Sequence, residues 1–224
     1  MKSKLIIFDL DDTLIDTSGS TIPVKLKLAL KAMLNAGLNV NDFKGAYVRL
    51  LEFNESSLNG AEALEKLLSE LNANMSLLEI GTKAYYGKSE EELKVLPLDG
   101  ALKVLDILGL DQKLILVSFG ESEEQLNKMK IAGISSSLFS EVFFVNDYNK
   151  KEVYQKIMTK HDLDPKSIVV IGDKVQGDLF PAKELGLVTV HMCWGRGKLF
   201  KPKEGEVDYS INNLNELINI VENQ

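Results

Sequence analysis

The chain has 224 residues with 45% hydrophobic and 26% charged side chains, enough apolar material for a folded core and too much for a disordered chain. Its formal net charge is −7, and Arg49 and Arg196 are the only arginines, which excludes an electrostatically driven nucleic-acid partner. Cys193 stands alone, so there is no intrachain disulfide and no cysteine-based zinc site; a reduced, cytoplasmic setting is expected.

The first predicted element is the apolar run Leu5–Phe8. It is too short for a signal-peptide core, and no 18-residue apolar stretch follows it, so no membrane span is expected. The run stops at Asp9-Leu10-Asp11-Asp12-Thr13, with Asp16 close behind. Two unit charges about 4 Å apart repel by on the order of 4 kcal/mol at an effective dielectric of about 20. Solvent, a lysine or a metal ion must offset such a cluster.

From Asp16 to Leu96 no strand pattern is present. Helical patterns cover Val24–Leu34, Phe43–Phe53, Ala61–Leu71 and Leu77–Tyr86, bounded by Thr17-Ser18-Gly19-Ser20 on one side and Leu96-Pro97-Leu98-Asp99-Gly100 on the other. This reads as a helical module, 17–96, inserted between the first strand and the rest of a sheet, so that 1–16 and 97–224 form one α/β core. Within the module, Lys44, Tyr47, Arg49, Tyr85, Tyr86 and Lys88 could contact a substrate, but tyrosines at helical spacing are ordinarily packing residues, so none is taken as a site.

After Gly100, strand and helix alternate. The spacing predicts a helix on Ala101, Leu102, Val104, Leu105 and Leu108, then a strand, Leu114–Val117. Ser122-Glu123-Glu124-Gln125 has the form of a capping box opening the next helix. Further strands are expected at Val142–Val145, Ile168–Ile171 and Val188–Val190, with a helix marked by Tyr154, Ile157 and Met158 between them. The helix Pro181–Leu185 is expected to end at Gly186. Apolar runs of this kind belong to a parallel sheet covered on both faces, and the alternation predicts a doubly wound α/β fold.

Polar residues past the carboxyl ends of such strands are the candidate ligand set. Strand one supplies Asp9 and Asp11, strand two Ser118, strand three leads to Lys150 and Lys151, and strand four supplies Asp173 and then Asp178. Asp9 and Asp11, at i and i+2 of an extended segment, point the same way, while Asp12 alternates away towards a cap or solvent role. One carboxylate can attack phosphorus and another can shuttle a proton. A hard dication such as Mg²⁺ would neutralise both the cluster and a phosphate. His161, His191, Cys193 and Trp194 are expected to pack or lie at the surface.

The stretch "FDLDDTLID" resembles the first motif, DxDxT, of the haloacid dehalogenase-like hydrolase superfamily. "LILVSFG" resembles its second motif, and "VVIGDKVQGD" its GDxxxxD fourth motif, in the same order and spacing. The helical insert stands where that superfamily carries a C1-type cap. The resemblance implies a Rossmann-like core and a Mg²⁺-dependent phosphatase acting on a small phosphorylated metabolite through an aspartyl-phosphate. It implies Asp9 as nucleophile and metal ligand, Asp11 as acid/base and backbone-carbonyl metal ligand, and Thr13 as support for the turn. Ser118 would bind the phosphate, Asp173 the metal, and Asp178 would stand behind them. The Lys-Pro of the third motif is absent; "NDYNKKEVY" offers Lys150 or Lys151, with the helix spacing favouring Lys150, and Phe119 stands where many relatives have asparagine. A phosphomutase, a 2-haloacid dehalogenase and a receiver-type phospho-acceptor module are the competing readings. Substrate identity and oligomeric state are not written in the sequence.

Overall fold

Leu5, Ile6, Ile7 and Phe8 have no accessible surface. A strand buried on both faces must lie inside a sheet, and β1 (Leu5–Phe8) does. The computed structural model describes residues 4–87, 94–146 and 149–223. It divides into two compact units, one formed by residues 1–17 and 95–224 and the other by residues 18–94.

The helical unit contains α1 (Ile22–Asn35), α2 (Phe43–Glu55), α3 (Gly60–Glu70) and α4 (Leu77–Tyr86). On α1, Ile22, Leu26, Ala29, Leu30 and Met33 form a buried stripe at helical spacing. They pack with Leu50, Leu64, Leu67, Leu68 and Tyr85 in a core of the unit's own. Asp42 opens α2 by accepting from the Gly45 amide at 2.6 Å, and Asn59 opens α3 by accepting from the Glu62 amide at 3.0 Å. Tyr47 donates to the Pro23 carbonyl at 2.9 Å and stacks on Phe43. Arg49 is held by Glu70 and Glu52 on the surface. These side chains serve the unit's own packing; Lys88 lies outside the described residues.

The α/β unit continues from β1 through α5 (Ala101–Leu108), β2 (Lys113–Phe119), α6 (Ser122–Ile131), β3 (Glu141–Val145) and α7 (Lys151–His161). It closes with β4 (Ile168–Gly172), α8 (Phe180–Glu184), β5 (Val188–Met192), β6 (Tyr209–Ile211) and α9 (Asn215–Glu222). All six strands are parallel, in the order β3-β2-β1-β4-β5-β6. Leu5 and Ile7 pack with Ile115, Val117, Ile168 and Val170 against Tyr154 and Ile157 of α7 and Ala182 of α8. Ile6 and Phe8 alternate to the opposite face. The five expected strands form; β6 is an addition, and with only Ile211 of its three residues buried it leaves almost no apolar signal.

Two local expectations fail. The capping box at Ser122 is not made: Glu121 is the N-cap of α6, with no side-chain cap bond, and the Gln125 side chain is spent elsewhere. Asp12 is not solvated but 5% exposed, at φ 58°. The extended segment has ended by then, so alternation no longer governs its direction. Gly186 does follow α8 in the left-handed region, at φ 77°. The chain reverses between β1 and β4, whose neighbours run outward in opposite directions, and ligands of such sheets collect past the carboxyl ends there.

Candidate active site

Beyond Phe8 the chain stays tied to β4 for one more residue, the Asp9 amide donating to the Ile171 carbonyl at 3.0 Å. It then turns: the amides of Thr13, Leu14 and Ile15 all donate to the Leu10 carbonyl. Asp12 takes the left-handed position that aspartate tolerates, its amide bonded to the Ile15 carbonyl at 2.8 Å. Thr13 is fully buried, and its hydroxyl reaches Asp9 Oδ2 at a long 3.5 Å. This turn places Asp9 and Asp11 in separate surroundings.

Asp9 meets Lys150. The ammonium lies 2.6 Å from Asp9 Oδ1 and 2.6 Å from Asp178 Oδ1, and also donates to the Val117 carbonyl at 2.8 Å. Lys150 is the N-cap of α7. Lys151, one residue on, points outward to Glu184 at 3.1 Å. The choice between the two lysines is therefore geometric: only Lys150 is in the cluster. Burial pushes Asp9 up to about 6, against the opposing pull of Lys150.

Asp173 follows β4 directly and is 3% exposed. Burial pushes its carboxyl well above the usual carboxylate range; Lys174 works against that shift, and Asp12, Asp178 and Asp9 add to it. Its Oδ1 is buried with no hydrogen-bond partner. Asp178 has both oxygens engaged, one by Lys150 and the other by the Lys174 amide at 3.1 Å. Gly172 makes room for it: a Cβ there would come within 2.6 Å of Asp178 Oδ2 and 2.7 Å of its Cβ.

Asp11 has different partners. Its Oδ1 accepts from the Thr17 hydroxyl at 2.5 Å and lies 3.1 Å from Lys128 Nζ; its Oδ2 accepts from Gln125 Nε2 at 2.8 Å. Burial would raise its carboxyl, but the Lys128 ammonium and the Thr17 and Gln125 bonds outweigh that and hold it down at about 2. The same Gln125 nitrogen contacts Ser118 Oγ at 2.7 Å and the Phe119 carbonyl at 2.8 Å. Ser118, 1% exposed at the end of β2, thus lies against the amide that meets Asp11.

Sequence reasoning missed Gln125 and Lys128. The available signal was their spacing of three on a helix that opens immediately after Ser118-Phe119-Gly120, which puts both on one face towards the strand ends. The histidines do not join the cluster. His161 pairs with Glu141 at 2.8 Å. His191, fully buried with its basicity lowered by burial, lies with Nε2 3.1 Å from the Asp173 carbonyl and Nδ1 3.4 Å from Cys193 Sγ. The neutral ring is a peg that holds the β4 turn. Trp194 donates to Asp16 Oδ1 at 2.8 Å.

The residues fit a divalent cation. Asp9, Asp173 and Asp178 each offer an oxygen, all within 4.8 Å of one another. Oxygens across one Mg²⁺ stand roughly 4 Å apart, given Mg–O distances of about 2.0–2.1 Å. The orphaned Asp173 Oδ1 is the clearest sign, because a buried acceptor without a donor is costly and a cation would satisfy it. Asp178, with one oxygen on Lys150 and the other on the Lys174 amide, stands behind the other two. The Asp11 carboxylate is outside this group, engaged by α6 and Thr17.

Residues 3–186 match the family model of haloacid dehalogenase-like hydrolases. The chain is 29% identical over 228 residues to a protein of Methanocaldococcus jannaschii named glyceraldehyde 3-phosphate phosphatase, spanning 98% of this chain and 97% of that one. A protein of the same name from Pyrococcus abyssi is 30% identical over 231 residues, 99% of this chain and 94% of its own. Among solved structures, the fold is similar to the hydrolase YfnB of Bacillus subtilis, solved bound to magnesium, with TM-score 0.69, 20% identity and 99% of each chain covered. It is also similar to a haloacid dehalogenase-like hydrolase of Xanthomonas campestris, with TM-score 0.64, 18% identity and 100% and 97% coverage.

Proposed function

The chain belongs to the haloacid dehalogenase-like hydrolases, and on that premise we propose that it is a Mg²⁺-dependent phosphatase of a small phosphorylated metabolite, working through an aspartyl-phosphate on Asp9. The observation that carries this reading is the buried junction of Asp9, Lys150, Asp173 and Asp178. A carboxylate is held there against an ammonium, beside an acidic oxygen that lacks a donor.

In this reading Asp9 Oδ attacks phosphorus, the ester P–O bond breaks, and its electron pair leaves on the alcohol oxygen. Asp11 hands that oxygen a proton. Because Asp11 rests ionised, the proton arrives with the monoester itself, whose second ionisation lies near about 6. In the second half Asp11 takes a proton from water as the water oxygen attacks the phosphoryl group and frees Asp9. Lys150 holds Asp9 in place and offsets negative charge as it shifts between the two oxygens. Ser118 and the turn after it receive phosphate oxygens. Asp9 and Asp173 would hold Mg²⁺, which when bound neutralises the carboxylates and the phosphate.

The helical unit is assigned the choice of substrate. The names of the curated relatives make glyceraldehyde 3-phosphate the first compound to try. The test is a panel of alkyl phosphates, including that one, together with p-nitrophenyl phosphate, assayed with Mg²⁺ and with a chelator. Hydrolysis that requires Mg²⁺ and vanishes in Asp9→Ala is expected. Unchanged turnover in Asp9→Ala would end the assignment.

A further inference from the structure

Asp11 is bound from two directions, by Thr17 and by α6, and the α6 contacts have no place in the proposed reaction so far. Lys128 Nζ reaches both oxygens, at 3.1 and 3.3 Å. With Thr17 on Oδ1 and Gln125 on Oδ2, four donor contacts meet a group that offers about four acceptor sites. The orientation of the Gln125 amide follows from its neighbours: Asp11 Oδ2 and the Phe119 carbonyl are both acceptors, so a reversed amide would set oxygen against oxygen. Gln125 is 1% exposed, so its rotamer is fixed by packing as well. A helix that merely needed capping would have turned this side chain back on its own first turn. Here the two N–H groups of the amide link the acid/base candidate after β1 to the Phe119 carbonyl at the end of β2, with the Ser118 hydroxyl in contact beside them.

We infer that Gln125 and Lys128 are positioning residues for proton transfer by Asp11, the ammonium gripping both oxygens and the amide tying one of them to the Phe119 carbonyl at the end of β2. The inference rests on the reading of Asp11 as acid/base of a phosphatase. Its consequence lies in leaving-group dependence. An alkoxide cannot depart unprotonated, so a misplaced Asp11 slows bond cleavage in an alkyl phosphate. p-Nitrophenolate leaves without help, so the same defect costs little there.

The experiment measures kcat/KM, which reports the steps through leaving-group departure, for Mg²⁺-loaded wild type, Gln125→Leu, Lys128→Gln and Lys128→Arg. The substrates are p-nitrophenyl phosphate and the alkyl phosphate that wild type hydrolyses best, glyceraldehyde 3-phosphate being the first tried. The alkyl phosphate is expected to lose on the order of 10²-fold in Gln125→Leu and Lys128→Gln, within the range a general acid supplies. p-Nitrophenyl phosphate is expected to lose no more than about a tenth as much, and Lys128→Arg to recover most of the alkyl activity. Equal losses on both substrates would make α6 a purely structural support and overturn the inference, as would an unchanged alkyl rate. If Gln125→Leu fails to fold, the partly exposed Lys128 carries the same comparison. Absence of any phosphatase activity in wild type would instead sink the reading on which the inference rests, and the inference with it.

Discussion

Lys150 Nζ lies 2.6 Å from Asp9 Oδ1 across 141 residues of sequence, and both side chains are buried. The ammonium also reaches Asp178 and the Val117 carbonyl. It thereby joins the ends of β1 and β2 to the turn after β4. One cation holding two buried carboxylates organises the proposed site before any metal arrives.

Removing that cation strands two carboxylates in a low-dielectric setting. Breaking a buried pair from one side costs about 3–5 kcal/mol. Lys150→Met is expected to lower the unfolding free energy from urea titration by an amount in that range and to abolish turnover, whereas Lys151→Met, which loses only an exposed pairing with Glu184, should change it by less than about 1 kcal/mol. Equal effects of the two substitutions would contradict the assignment of Lys150.

Stability should also depend on pH through Asp9. Its carboxyl stands at about 6 in the folded state against an ordinary value of 3.8, because burial disfavours the charge. The folded state therefore binds this proton more tightly than the unfolded chain does. Its stabilising contribution is full below about pH 4 and is lost as pH rises through about 6. Mg²⁺ competes with the proton, so saturating Mg²⁺ should raise the melting temperature more at pH 7 than at pH 5. A shift independent of pH would remove Asp9 from the metal site.

Gly172 is required for space rather than for an unusual backbone angle. Gly172→Ala would press a methyl group against the buried Asp178 side chain. Asp178 is pinned by Lys150 and the Lys174 amide, so it cannot step aside cheaply. A loss of about 1–3 kcal/mol is expected, together with weakened Mg²⁺ binding measured by calorimetry. A fully active, equally stable variant would show that Asp178 is free to move.

How much of this was legible in the sequence depends on distance along the chain. Apolar runs followed at once by Asp9, Ser118 or Asp173 are local signals, and they mark strand ends whatever the rest of the fold does. Gln125 and Lys128 meet Asp11 across 114 and 117 residues, and each looks like an ordinary polar position on a helix. The Ser122–Gln125 pattern was a decoy, because a tertiary partner outbid the local cap. The solvent role expected of Asp12 fails because alternation holds only while the chain is extended, and the strand stops at Phe8. The parallel, doubly wound sheet follows from alternation, but its strand order does not, and β6 rests on one buried residue, Ile211.

The central claim is that Asp9 itself receives the phosphoryl group. The direct measurement is an acid quench during turnover with Mg²⁺, followed by peptide mapping of the phosphorylated species. The account predicts phosphate on the peptide carrying Asp9, chased away by unlabelled substrate and absent in Asp9→Asn. Phosphate on a different residue, or turnover surviving in Asp9→Asn, would contradict it.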